Sequence, residues 1–204
     1  MTAIRTLQAA TLLALSLVLT ACEDPANQPV VSVVNRLPDL RFSLQTAGGQ
    51  TMTQEDFKGK IPLVFFGYAN CPDICPTTMA RLAQVTERLG EAGQDIRILF
   101  ISVDPHRDTP ELLQKYVQAF DNERAVGLAG TPSQIESLAR RYRVSYQILA
   151  PKDPTDKNYD VSHSKGVFVF DRQGEVSLLV TDIEAPGSTD ALTAALRTLV
   201  AKTG

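Results

Sequence analysis

The sequence has no tryptophan, two histidines and three cysteines in 204 residues. It also lacks a basic block: 20 Lys and Arg stand against 23 Asp and Glu, for a formal net charge of -3. A nucleic-acid partner requires a clustered cationic face, and this composition argues against one. Three cysteines are too few for a disulfide scaffold, and a chain of this length buries enough apolar surface to fold without one. The longest apolar run, Leu7 to Ala21, has 15 residues, short of the roughly 20 that a membrane-spanning helix needs. What remains is an ordinary globular composition, 44% hydrophobic and 21% charged, in which the few thiols and imidazoles carry the chemistry.

The apolar run follows the cationic Arg5 and ends Leu19-Thr20-Ala21-Cys22. A short apolar stretch behind a positive start reads as a secretory signal. Its end resembles the lipobox of bacterial lipoproteins, which implies removal of residues 1–21 as a signal peptide and a lipid on Cys22. Residues 22–36 are then expected as a flexible tether bearing Pro25 and Pro29, although Val30 to Val34 could dock as an edge strand. Residues 37–204 would form the domain, lipid-anchored to a membrane of the bacterial cell envelope and facing the periplasm. The acidic Glu23-Asp24 after Cys22 hints at the inner membrane. With Cys22 assigned to lipid, Cys71 and Cys75 are left as a pair in a compartment where disulfides persist.

From Leu37 strands and helices alternate. Leu40 to Leu44 has period two and Gly48-Gly49 follows, the mark of a hairpin. Ile61 to Phe66 and Ile96 to Val103 are apolar runs, as in strands buried on both faces. Met79, Leu82, Val85 and Leu89 fall at helical spacing within Thr77 to Leu89, stopped by Gly90. Thr109-Pro110-Glu111 and Thr131-Pro132-Ser133-Gln134 each read as a helix start, the second with a capping-box glutamine. Val144 to Leu149 reads as a strand, residues 150–160 as a polar loop, and Gly166 to Val180 as a hairpin turning at Asp171 to Gly174. The last helix spans Thr189 to Val200. The class is α/β, with a largely parallel sheet covered on both faces, its parallel run broken by the closing β-hairpin and helix. The order is that of a thioredoxin-like fold with an N-terminal β-hairpin extension and an inserted helix.

The segment Phe65-Phe66-Gly67-Tyr68-Ala69-Asn70-Cys71-Pro72-Asp73-Ile74-Cys75-Pro76 lies where a buried strand gives way to a helix, and open α/β sheets bind ligands at such places. Proline disfavours helical backbone in the residue before it, so Pro76 is expected as the first helical residue and Cys75 as the N-cap. Both sulfurs would face the free N–H groups of the first turn, and both thiols would have lowered pKa values. A structural disulfide, a redox dithiol and a metal site are all open. A bridge closing so short a loop removes little unfolded-state entropy, which disfavours the first. The three intervening residues exceed the two of dedicated dithiol oxidoreductases and let the sulfurs diverge around an ion. His163 lies ahead of the strand at Gly166, in a loop that a thioredoxin-like sheet brings toward the cysteines. Two thiolates and an imidazole suit copper, whereas zinc usually takes a fourth ligand. His106 reads as exposed, and Met52 and Met79 as core or surface residues.

Four stretches together resemble the Sco/SenC family: FFGYANCPDICPTTMARL from Phe65, SVDPHRDTPELLQKYV from Ser102, GTPSQIESLARRYRV from Gly130 and YDVSHS from Tyr159. The resemblance implies a copper-binding protein of the thioredoxin superfamily that assists cytochrome c oxidase assembly. It implies Cys71, Cys75 and His163 as ligands for Cu(I) or Cu(II), with Asp104 and Asp108 as an acidic turn. The implied role is a metallochaperone that loads the dinuclear copper site of the oxidase's copper-bearing subunit, supplied by an upstream copper donor and a thioredoxin-like reductant. Ser162 stands where the family often carries an acid, which leaves open what orients the imidazole. The alternative is a membrane-anchored thiol–disulfide oxidoreductase that reduces the recipient's copper-ligand cysteines, with Cys71 attacking and Cys75 resolving. A peroxidase of the same fold is a third reading, but the flanking prolines and His163 fit metal better.

Overall fold

The computed structural model describes residues 28–150 and 159–202. The expected signal peptide, Cys22 and the start of the tether lie outside the described residues. The described chain enters through an edge strand, β1 (Val30–Ser32), so part of the expected tether belongs to the sheet. The hairpin follows as β2 (Ser43–Gln45) and β3 (Thr51–Thr53), whose connection places Gly48 and Gly49 at positive φ. Glycine adopts that conformation without strain. Then come β4 (Ile61–Gly67), α1 (Ile74–Leu89), β5 (Ile96–Ser102), α2 (Pro110–Gln118), β6 (Ala125–Leu128) and α3 (Pro132–Arg141). A ribbon of β7 (Tyr146–Ile148) and β8 (Val161–His163) precedes β9 (Val167–Phe170), β10 (Val176–Val180) and α4 (Ser188–Lys202).

Six strands form one sheet in the order β1-β10-β9-β4-β5-β6. Expected to be largely parallel, it is parallel only across β4, β5 and β6; β9, β10 and β1 each pair antiparallel. A tight hairpin joins only antiparallel strands, so the β9–β10 turn dictates that half. β6 is not legible in the sequence, because its four residues are too few to display a period. One row of the register runs Val30, Val180, Val167, Phe65, Phe100 across five strands.

All seven residues of β4 are buried, which requires cover on both faces. On one face Phe65 meets Phe100 edge-on, and Tyr116 of α2 packs on Phe100 with ring centroids 5.2 Å apart. On the other, Phe66 meets Tyr142 and Phe168. The Tyr142 hydroxyl donates to the Asp39 carbonyl at 2.8 Å and accepts the Arg41 N–H at 2.9 Å, tying the end of α3 to the segment before β2. Thr109 caps α2 through the Leu112 N–H, and Thr131 with Gln134 closes a capping box on α3, both as expected. β4-α1-β5 and β9-β10-α4 are the two halves of the thioredoxin-like order, with α2, β6, α3 and the β7–β8 ribbon between them.

Candidate metal centre

Cys71 sits in the turn after β4, and Cys75 in the first turn of α1. The helix starts at Ile74 with Asp73 as N-cap, so Cys75 is not the cap and Pro76 is not the first helical residue. The first N–H groups of a helix have no intrahelical partner, so proline is accommodated throughout the first turn. Asp73 makes no side-chain cap bond. The Cys71 sulfur takes that part, accepting the Cys75 N–H at 3.4 Å.

The acidic turn holds this loop from beneath. Asp108 Oδ2 accepts the Ala69 N–H at 3.0 Å and the Ser102 hydroxyl at 2.6 Å. Asp108 is almost fully buried, and that burial pushes its pKa up against those two bonds. Gly67 makes room for the second sulfur: a Cβ there would lie 2.8 Å from Cys75 Sγ and 2.9 Å from the Phe100 ring.

His163 ends β8, in register with Tyr146. Its Nε2 lies 3.3 Å from Cys75 Sγ across 88 positions of sequence. Its Nδ1 lies 3.0 Å from the Ser164 carbonyl oxygen. A carbonyl only accepts, so in the neutral ring Nδ1 carries the proton and Nε2 presents its lone pair toward the sulfurs. Phe65 and Tyr68 flank the ring edge-on, with centroids at 5.9 and 5.8 Å. Ser162 is exposed, on the opposite side of the strand from its neighbour. The main chain of Ser164, rather than the residue before His163, orients the imidazole.

The donor atoms of Cys71, Cys75 and His163 all lie within 4.8 Å of one another, and among the described residues no other such cluster is present. Two thiolates each about 2.3 Å from one ion can be at most about 4.6 Å apart. The triangle therefore closes on an ion with movements of an ångström or less. Soft sulfur donors with one imidazole suit copper, and three ligands leave it open to a fourth.

The two thiols are unbridged and unequal. The bond from the Cys75 thiol pulls Cys71 down to about 3, aided by the N–H groups of Asp73 and Cys75 and opposed by burial. That same bond, together with burial, pushes Cys75 up. The expectation that both thiols are acidified is thus corrected. One proton stays on the buried sulfur, because a second thiolate beside the first has nothing to compensate it. His106 is exposed, as expected. Met79 is fully buried and Met52 packs against the core. Gly67 and the Ser164 carbonyl escape sequence reasoning; the only signal was a glycine closing an apolar strand just before the cysteines.

The family model for SCO1/SenC matches residues 36–201. The chain belongs to the SCO1/SenC family. It is 38% identical over 136 residues to the mitochondrial Protein SCO1 homolog of Homo sapiens, covering 66% of this chain and 44% of that one. It is 39% identical over 130 residues to Protein SenC of Rhodobacter capsulatus, covering 64% and 57%. The chain thus spans about half the length of these relatives. Its fold matches the copper-bound structure of Bradyrhizobium japonicum ScoI with a TM-score of 0.68 at 31% identity, covering 79% of this chain and 99% of that one. Cys71, Cys75 and His163 form a donor set whose chemistry would suit copper, and the α/β fold is thioredoxin-like.

Proposed function

We propose that this chain is a copper metallochaperone in which Cys71, Cys75 and His163 hold the ion as cargo. The observation that carries this is the imidazole, whose lone-pair nitrogen stands 3.3 Å from the Cys75 sulfur. A dithiol reductase has no need of it. The recipient is the dinuclear copper site in the copper-bearing subunit of cytochrome c oxidase, a role supported by membership of the SCO1/SenC family. Three donors leave copper under-coordinated, so a recipient's ligand can attack before the first bond breaks. Loading displaces the proton that the two sulfurs share, and oxidation to a disulfide removes both thiolates and expels the ion. An upstream donor supplies copper, and a thioredoxin-like reductant restores the dithiol. Lipid on Cys22 holds the protein to the bacterial inner membrane, with the domain in the periplasm.

The test is copper(I) stoichiometry and chelator competition for the wild type, Cys71→Ser, Cys75→Ser and His163→Ala. One ion per chain and weakened binding in all three variants are expected. Undiminished tight binding by His163→Ala would remove the imidazole from the site and with it the main support for this role.

The inequality of the thiols favours a second reading, a thiol–disulfide oxidoreductase. The Cys71 thiolate would attack a partner disulfide to give a mixed disulfide, and Cys75 would displace the reduced partner, leaving the Cys71–Cys75 bridge. A thiolate whose pKa is as low as about 3 is a weak nucleophile, which weighs toward metal. Reductase turnover unaffected by His163→Ala is the result that distinguishes this activity.

A further inference from the structure

His163 reaches the cysteines from a ribbon that the six-stranded sheet does not hold. Among the described residues β7 and β8 pair only with each other, so the ladder fixes the ribbon's shape and not its seat. Side chains make the seat. Tyr159, two residues ahead of β8, donates its hydroxyl to Asp104 Oδ1 at 2.6 Å. Arg107 Nε bonds the other oxygen of that carboxylate. The guanidinium carbon lies 3.6 Å from the centroid of the Tyr159 ring and 5.7 Å from that of Tyr68. Tyr68 is one of the two rings that flank His163.

The Asp104 side chain is fully buried and that of Arg107 is 20% exposed. Among the described residues neither terminal nitrogen of Arg107 finds a hydrogen-bond partner, although both are buried. A desolvated guanidinium in that state depends on the ring faces against it. Tyr159, at 3.6 Å against 5.7 Å for Tyr68, is the nearer of its two rings. Arg107 is therefore gripped from the cysteine side by Tyr68 and from the ribbon side by Tyr159, and anchored to the core through Asp104.

We infer that Asp104, Arg107 and Tyr159 form a latch that seats the His163 ribbon over Cys71 and Cys75. They are positioning residues, acting on the metal through the imidazole. The effect on copper rests on the proposed ligand set; the latch itself does not. When it opens, Tyr159 leaves the carboxylate and the guanidinium together, and His163 swings away with the ribbon. The two sulfurs remain where α1 and Gly67 put them.

Two measurements on the full chain test this. In the metal-free protein, nuclear Overhauser contacts between the His163 ring and the Phe65 and Tyr68 rings report whether the ribbon is seated. Arg107→Ala should abolish them, and Tyr159→Phe, the milder change, should weaken them. Arg107→Lys, which keeps a cation between the rings, should restore part of the signal lost in Arg107→Ala. Copper(I) competition should show an affinity loss of about 10- to 100-fold for Arg107→Ala, and no further loss when Arg107→Ala is added to His163→Ala. Unchanged ring contacts in all variants would overturn the latch. So would an equal loss of affinity with and without His163, which would mean that Arg107 acts on the fold at large. A wild type that binds no copper defeats the ligand assignment instead, while the ring contacts still decide the latch.

Discussion

Replacing Gly67 by alanine tests the packing that places the buried sulfur. The added methyl carbon would stand 2.8 Å from Cys75 Sγ and 2.9 and 3.0 Å from two Phe100 ring atoms. Ordinary contact is about 3.5–4.0 Å, so the sulfur or the ring has to retreat by about 1 Å. The backbone has little freedom to yield, since Gly67 pairs with Ser102 and its carbonyl accepts the Val103 N–H at 2.8 Å. Phe100 is fully buried between Phe65 and Tyr116. Overpacking of this kind costs about 1–3 kcal/mol. At roughly 2–4 °C per kcal/mol for a domain of this size, the melting temperature should fall by about 2–12 °C. Total stabilities of about 5–15 kcal/mol are usual, so the variant should still fold. Because ligands have to be held within about 0.5 Å of their working positions, copper(I) affinity should fall by about tenfold or more. Gly166→Ala is the control: its Cβ would press on the flexible end of Leu179 at 3.1 Å and meet the Val180 carbonyl oxygen at an ordinary 3.6 Å. That change should cost less than about 1 kcal/mol and leave copper binding alone. A Gly67→Ala protein that melts and competes for copper like the wild type would refute the close fit of Cys75 against β4.

Alkylation of metal-free protein by iodoacetamide should label Cys71 and spare Cys75. Its rate should stay nearly flat from pH 8 down to pH 5, since Cys71 titrates at about 3, whereas a free thiol slows about tenfold per unit below its pKa of about 8.5; such a decline would contradict the shared proton. Asp108→Ala strands the Ala69 N–H and the Ser102 hydroxyl and should lower stability by about 1–3 kcal/mol, read as a shifted urea midpoint; an unmoved midpoint counts against the anchor. Lys60 and Arg172 hold Asp95 at about 2, below its ordinary 3.8, so its contribution is complete above the ordinary value and disappears as pH falls through 2. That group is about a third exposed, and screening keeps the contribution below about 1 kcal/mol. Wild type and Asp95→Asn should therefore differ slightly in melting at pH 7 and converge as pH falls to 2 and below, and an undiminished gap there would argue against the pair.

Most of the strand–helix order and the grouping of Cys71, Cys75 and His163 were legible because each rests on local pattern or on scarcity. Ile61 to Phe66 is apolar without a break, Thr109 and Thr131 precede prolines, and a chain with two histidines offers few candidates. The remainder depends on contacts that no local pattern encodes. The start of α1 at Ile74 depends on which N–H groups lack partners, a looser constraint than the preference of a residue before proline. The inequality of Cys71 and Cys75 arises from their bond to each other and from burial, neither visible in a four-residue spacing. The orienting group for His163 is a main-chain carbonyl, which every residue possesses and no sequence flags. Asp104 and Tyr159 meet across 55 positions, and only the closed fold brings them together.

The register row from Val30 to Phe65 has a consequence for how the molecule stands. β1 runs antiparallel to β10, and Val30 falls level with Val167 and Phe65. Residues preceding Val30 therefore leave from the same rim that bears the cysteines and the histidine. Three strand spacings of about 4.8 Å set that exit about 14 Å to the side of β4. On the proposed lipid attachment at Cys22, the eight positions from there to Val30 would span at most about 28 Å. Under that attachment the Cys71, Cys75 and His163 rim would face the bilayer, and the opposite pole of the domain would face away from it.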